Sequence, residues 1–289
     1  MQKVLFSLYR SVFENHKIAE KINILWRLRF YPYQSIAMKG YSTGLLMLLM
    51  LSACGGKNTP SNVKSPGDEK NAKDLALETG ADVLQEKSPL KKFNTYLDGF
   101  HFYNGNPEAQ MEAHHYVNQI NDDVYQAIIF DGNQENAKIM GVEYIVTAKL
   151  FKTLPEEEKK LWHSHHFEVK SGTLVAPGIP DAAEHELMEK LVSTYGKTVH
   201  TWHTDQERTL PVGSPMIMMG FTKEGQLHPH LVKERDKRFN ISTEKKKKDR
   251  EDIPMPKLIA GANAWEKGEI RQFTITSKPD SAMHKHQIQ

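Results

Sequence analysis

Short apolar runs alternate with turn-forming and charged segments along this chain, and the pattern changes character near residue 88. Before that point the sustained apolar stretch is Leu45–Leu51; Gly55-Gly56 and a segment rich in Lys, Asn, Ser, Pro and Asp follow it. After that point the runs have the lengths of globular elements. Tyr125–Phe130 is short, apolar and β-prone, and it stops at the turn residues Asp131-Gly132-Asn133. Ile139–Val146 alternates loosely and reads as its partner strand. Leu154–Trp162 reads as a short helix with Pro155 at its first position and acidic residues in its first turn, which delivers Trp162 onto the domain. Phe167–Val175 reads as strand, turn, strand, closed by Pro177 and Pro180. Asp181–Tyr195 carries Ala183, Leu187, Leu191 and Val192 at helical spacing, with Gly196 as a stop. Lys197–Asp205 and Pro215–Phe221 read as two more strands, and His230–Phe239 as a helix with a mixed face. Neighbouring strands with helices between them predict a single α+β domain, with packed helices around an antiparallel sheet, over residues 88–275. Residues 276–289 are a polar tail, and no internal repeat is present.

The N-terminal pattern sets an address. Lys39 supplies a cationic start, Leu45–Leu51 a short apolar stretch, and small residues precede Cys54, the single cysteine. These are the three parts of an export signal. Leu51-Ser52-Ala53-Cys54 resembles the lipobox of a bacterial lipoprotein, in which the cysteine is acylated and becomes the new N-terminus. The resemblance implies a signal peptide at 38–53, a lipid (palmitate) on Cys54, and attachment to the outer membrane facing the periplasm, since Gly55 stands where an aspartate implies inner-membrane retention. A seven-residue apolar run is too short to span a bilayer, which takes about 20 residues. Two or three acyl chains anchor stably at ~0.8 kcal/mol per buried methylene. Residues 1–37 lie ahead of this signal, so translation is expected to start at Met38. Residues 54–87 have little to bury and read as a flexible tether.

Charge supports the division. The whole chain carries a formal +2, but the part after Ala53 holds 31 basic against 34 acidic residues, a net −3. A nucleic-acid partner is therefore not expected, because such a surface concentrates positive charge. With Cys54 acylated, no thiol is left for a disulfide. The run Lys245–Lys248 beside Asp249, Arg250, Glu251 and Asp252 reads as a solvated helix end, with contact to anionic lipid as the alternative.

Candidate chemistry lies in the histidines: all but His16 of the 14 fall after Cys54. If Trp162–Val169 is extended, His163 and His165 share a face. With one of His114 or His115, and Glu143 or Glu168 as an oxygen ligand, they form the inventory of a zinc or iron site with an open position, to be lost as pH falls through about 6. The spacing matches no known metal motif. The other reading has each imidazole bonded to a backbone carbonyl and packed beside Trp162 or Trp202. Ser164 lies between two histidines without the glycine pattern of a hydrolase. No phosphate loop or dinucleotide fingerprint is present.

Several blocks resemble the oil-body-associated protein family. They are Glu112-Ala113-His114-His115-Tyr116, Ile139–Val146, Leu154–His165, Glu168-Val169-Lys170-Ser171-Gly172, Thr194-Tyr195-Gly196-Lys197, His200-Thr201-Trp202 and Asn240-Ile241-Ser242-Thr243-Glu244. The likeness runs over nearly all of 95–265. It implies association with seed lipid bodies in plant members and no established catalytic set. Two departures are His203, where plant members carry glutamine, and Val117 or a neighbour, where they carry cysteine. Taken together, these features predict a lipid-anchored, non-catalytic domain that binds a small-molecule ligand or a lipid surface, with a metal-dependent enzyme as the alternative.

Overall fold

The computed structural model describes residues 58–274. Residues 1–37, the signal segment 38–53, Cys54 and the tail 276–289 lie outside the described residues. Seven strands form one antiparallel sheet: β1 Thr95–Tyr103, β2 Asn106–Asn121, β3 Val124–Phe130, β4 Ile139–Thr147, β5 His163–Ser164, β6 Thr194–His200 and β7 Met216–Met219. Their order is β4-β3-β2-β1-β7-β6-β5, and β4 also pairs with β6, from Gly141 opposite His200 to Thr147 opposite Thr194. Six strands thereby close into a barrel without free edges, and β5 pairs with β6 beside β7. The fold class is α+β, as the alternation of elements predicts.

Local chemistry makes the hairpins. Asn104-Gly105, with Gly105 at φ +95°, turns β1 into β2. The Asn121 side chain accepts from the N–H groups of Asp123 and Val124 and turns β2 into β3. Along each strand every second side chain points into the barrel: Leu97, Gly99, His101 and Tyr103 on β1; Met111, Ala113, His115 and Val117 on β2. One end of the interior is filled by Leu97, Val117, Tyr125, Ala127 and Ile145 against Met188 and Leu191. The other end is filled by Tyr103, Met111, Ala113, Ile129, Met140 and Met218. The buried histidines lie between these apolar plugs.

Among the described residues the α-helices are α1 Ala72–Leu84, α2 Ser88–Lys91, α3 Ala148–Phe151, α4 Glu156–Lys159, α5 His166–Lys170, α6 Asp181–Leu191, α7 Pro229–Phe239 and α8 Thr243–Asp249. Three sequence expectations change here. Phe167–Val175 is not a strand pair: the chain leaves the sheet after two β5 residues and winds into α5. The fully buried Arg250 guanidinium donates to the carbonyls of Val169 (2.8 Å) and Leu174 (2.9 Å), so a side chain 81 positions away from Val169 satisfies that segment's backbone. The α6 helix ends at Leu191, and Gly196 is not its cap but the middle of β6. The next strand ends at His200 rather than Asp205, where a 3-10 turn over Thr204–Gln206 takes over. Elsewhere α4 follows Pro155, and Trp162 is buried with its indole N–H on Glu158.

The expected tether is bonded to the barrel over part of its length. Thr59 exchanges bonds with Asn133, its amide donating to Asn133 Oδ1 (2.7 Å) and its carbonyl accepting from the Asn133 amide (3.0 Å). The Ser61 hydroxyl and Asn62 amide donate to Asp131 Oδ2 at 2.8 and 3.0 Å. No helix among the described residues is long and apolar enough to cross a membrane.

A second arginine fastens the outer helices. Arg235 on α7 is fully buried and donates to Asp98 Oδ1 (3.1 Å), the Thr173 carbonyl (2.9 Å) and Thr243 Oγ1 (2.9 Å), with its plane over Phe100. Removing one partner of such a buried network leaves the others without a donor. The Arg235→Met substitution is expected to lower unfolding stability by about 3–5 kcal/mol, read from urea denaturation of the full chain. An unchanged midpoint would show that this clamp adds nothing.

Candidate metal centre

Seven side chains converge between the two apolar plugs: His101 from β1, His115 from β2, Glu143 from β4, His163 from β5, His165 and Glu168 at the start of α5, and His200 from β6. Each is at most 5% exposed. Strand alternation aims the β-strand members inward, and the short β5 delivers His163 and His165 to the same place although His165 already belongs to the turn into α5. Room for them comes from glycine. A Cβ on Gly196 would stand 1.9 Å from Glu143 Oε1, and one on Gly220 would stand 2.8 Å from Glu168 Oε2 and 2.9 Å from the His163 ring.

Glu143 is the hub. Its Oε2 lies 3.2 Å from His115 Nε2, and its Oε1 lies 3.2 Å from His165 Nε2. His163 Nε2 stands 3.4 Å from Oε1 without hydrogen-bond geometry. One ligand atom each from His101, Glu143 and His163 falls within 4.8 Å of the other two, and the same holds for His163, His165 and Glu168. Among the described residues, His101 Nδ1, His115 Nδ1, both nitrogens of His163 and His200, and Glu168 Oε2 have no hydrogen-bond partner. A small cavity of about 20 Å³, lined in part by His101, His115, Glu143, His165 and Glu168, lies among them and takes about one water-sized species.

Proton accounting singles out one contact. The Thr194 hydroxyl donates to the Leu191 carbonyl (2.7 Å), so it accepts from His165 Nδ1–H at 2.7 Å. A neutral His165 then turns its Nε2 lone pair toward the Glu143 carboxylate. That approach is repulsive unless a second proton or a cation lies between them.

The charges are arranged around this hub. Burial pushes Glu143 up, but the bonds from His115 and His165 outweigh it and hold its carboxyl well below the usual range. Burial, and then the Glu143 charge, push Glu168 well above that range, which favours its neutral form. Burial also lowers His163 and His200 to about 3 and His101 well below its ordinary value. These imidazoles are neutral at pH 7, the form that binds metal.

Of the residues chosen from sequence, His115, His163, His165, Glu143 and Glu168 come together. His114 does not: it faces outward on β2, with Nδ1 2.7 Å from Tyr96 Oη and 3.2 Å from Asp98 Oδ2. One-residue spacing on a strand puts the two neighbours on opposite faces. Ser164 is buried against Asn263, which takes both its amide N–H and its hydroxyl as partners, so it is no nucleophile. His203 belongs to a separate contact, with Nδ1 3.1 Å from Tyr103 Oη and Nε2 3.0 Å from the Ser214 carbonyl.

Known sequences match across this domain. The family model described as Protein of unknown function (DUF1264) covers residues 87–254. Oil body-associated protein 1A of Zea mays is 42% identical over 231 residues, 78% of this chain and 94% of the relative. Oil body-associated protein 1B of Arabidopsis thaliana is 40% identical over 223 residues, 75% and 92% of the two chains. The chain belongs to the oil body-associated protein family. No solved structure matches it.

In this family member, sequence reasoning missed His101 and His200 as inward-facing members of the cluster. The signal was present in the small residues two positions away on the same strand faces, Gly99 beside His101 and Thr198 beside His200. The depressed imidazoles carry a stability signature. His163 and His200 stay unprotonated in the folded barrel down to about pH 3, whereas in the unfolded chain they take protons near pH 6.5. Their contribution is complete above pH 6.5 and is lost as pH falls toward 3, by up to about 1.4 kcal/mol per pH unit per imidazole. Urea midpoints of chelator-treated protein should therefore drop steadily from pH 7 to pH 4. A flat profile would contradict neutral, buried rings.

Proposed function

We propose that the barrel interior holds one divalent transition-metal ion, zinc or iron, with Glu143, His163 and His165 as ligands and His115 and Glu168 around them. The observation that carries this reading is His165 Nε2 set 3.2 Å from Glu143 Oε1 while Nδ1–H is already committed to Thr194, so that a second proton or a cation lies between them. A metal ion supplies that positive charge, and a ligand histidine with its other N–H fixed by a protein oxygen is the usual supporting arrangement. The neighbouring cavity accommodates about one water-sized molecule, which favours a metal-holding domain, or an enzyme for a very small reactant, over chemistry on a bulky substrate. Low-pH release of the ion is expected well below pH 6, because burial has already pushed the surrounding rings down.

Elemental analysis of the full chain purified without an affinity tag should give about one equivalent of zinc or iron, and Glu143→Gln should reduce it to about a tenth or less. The Thr194→Val substitution, which removes the supporting oxygen together with its bond to the Leu191 carbonyl, should weaken zinc about 10–100-fold. Wild-type protein free of metal and unable to take up zinc would overturn the assignment.

A second reading, compatible with the first, is attachment to lipid. It is supported by the lipobox at Cys54, by the relatives' names, and by the apolar side chains that α1 and α2 expose: Leu75, Leu77, Val83, Leu84 and Leu90 are all at least half exposed. The lysine run contributes little to it, since Lys245 and Lys246 pair with Asp181 and Lys247 with Glu224. In this reading the processed protein sits on the periplasmic face of the outer membrane through its acylated cysteine, and the domain binds lipid surface or a small ligand. Mass spectrometry of the native protein should show an acylated Cys54 N-terminus. Flotation with vesicles should be strong for the wild type and reduced, but not abolished, in Cys54→Ser. Complete loss in Cys54→Ser would leave the anchor and remove the domain's own lipid contact.

A further inference from the structure

The barrel interior continues beyond Glu143 into a layer of different chemistry. His200 is fully buried, and neither of its ring nitrogens has a partner among the described residues. Its ring centre is 5.5 Å from that of His101, whose Nδ1 is also unpartnered. The strand register sets a thioether directly across from each imidazole on the same inner face: Met111 opposite His101 on the β1–β2 pair, and Met216 opposite His200 on the β6–β7 pair. Directly opposed residues of an antiparallel pair have Cβ atoms about 4.5–5.5 Å apart, within reach of both side chains. Met140 and Met218 extend the same sulfur-rich plug.

A buried imidazole with two idle nitrogens is costly, and apolar packing alone does not relieve it. Two imidazoles and two thioethers form a soft, uncharged donor set. Such a set suits monovalent copper, whereas the carboxylate-centred set around Glu143 suits a harder divalent ion. We infer that His101, His200, Met111 and Met216 form a second position in the barrel, one that takes a soft monovalent cation of the copper(I) type. Met216 also lines a solvent-open cleft of about 620 Å³ at this end of the barrel, together with Tyr103, His203 and Arg208, which puts one of the four donors next to solvent. His101 lies between the two positions, near His163 and Glu143 on one side and near His200 on the other.

The test uses the full chain, titrated anaerobically with copper(I) against a chromophoric chelator and, in parallel, with silver(I) as a redox-inert probe. The wild type should take up about one equivalent, and X-ray absorption should place sulfur in the copper coordination sphere. Met111→Leu together with Met216→Leu, swaps of nearly conserved volume, should weaken copper(I) about tenfold or more while zinc content and melting temperature stay near wild type. Glu143→Gln should show the reverse profile, with zinc lost and copper(I) kept. Copper(I) binding unchanged in the leucine double variant, only nitrogen and oxygen around the copper, or loss of copper(I) together with zinc in Glu143→Gln would each overturn a separate soft position. Loss of the zinc assignment alone, with methionine-dependent copper(I) binding intact, would leave it standing.

Discussion

A carboxylate held inside a closed barrel is the constraint on which the rest of this structure depends. Glu143 is buried away from bulk water, and an isolated charge there is prohibitively costly. The protein answers with nitrogen: His115 and His165 approach its two oxygens, and His163 stands close by. Each of those rings must in turn be positioned. Thr194 holds His165 through a hydroxyl that is itself committed to Leu191. The polar centre is thus ordered through successive hydrogen bonds from the backbone inward, while several nitrogens are left directed at a small cavity.

That centre requires a particular backbone. Closure through the β4–β6 pairing brings Glu143 opposite Thr198 and lets β5 deliver His163 opposite Gly196. Gly196 and Gly220 lack the side chains that would occupy the space of the two carboxyl groups. Outside the barrel, Arg235 and Arg250 bind backbone carbonyls of the α5 turn and tie it to α7, α6 and the segment after α8. The short helix that carries Glu168 is packed through Val169 and Phe167, and the Arg250 guanidinium satisfies its Val169 carbonyl. Outer clamp and inner site are therefore one mechanical system, because α5 belongs to both.

Two kinds of polar burial coexist here. On the outer face of β1 and β2, His114, Asp98, Tyr96 and Arg235 bond to one another, although His114 Nε2 has no partner among the described residues. On the inner face, one residue away in sequence, His115 and its neighbours retain unpartnered nitrogens. The same residue types are mostly bonded to one another on one side of the sheet and mostly directed at a small cavity on the other. What separates them is the strand pleat.

The sequence alone determined the α+β class, the β3–β4 pairing, α6, Trp162 as a buried anchor, and a histidine–glutamate inventory that included five of the seven convergent residues. These features rest on local chemistry: apolar period, turn residues and caps act within a few positions. Tertiary structure decided the rest. Closure of the barrel, the choice of His115 over His114, and the recruitment of His101 and His200 depend on register between strands far apart in sequence. The helical path of His166–Lys170 depends on carbonyls satisfied by Arg250, and Gly196 became a strand residue because a carboxylate from β4 occupies the space beside it. Such partners lie tens of residues away, and no local pattern encodes which of them will meet.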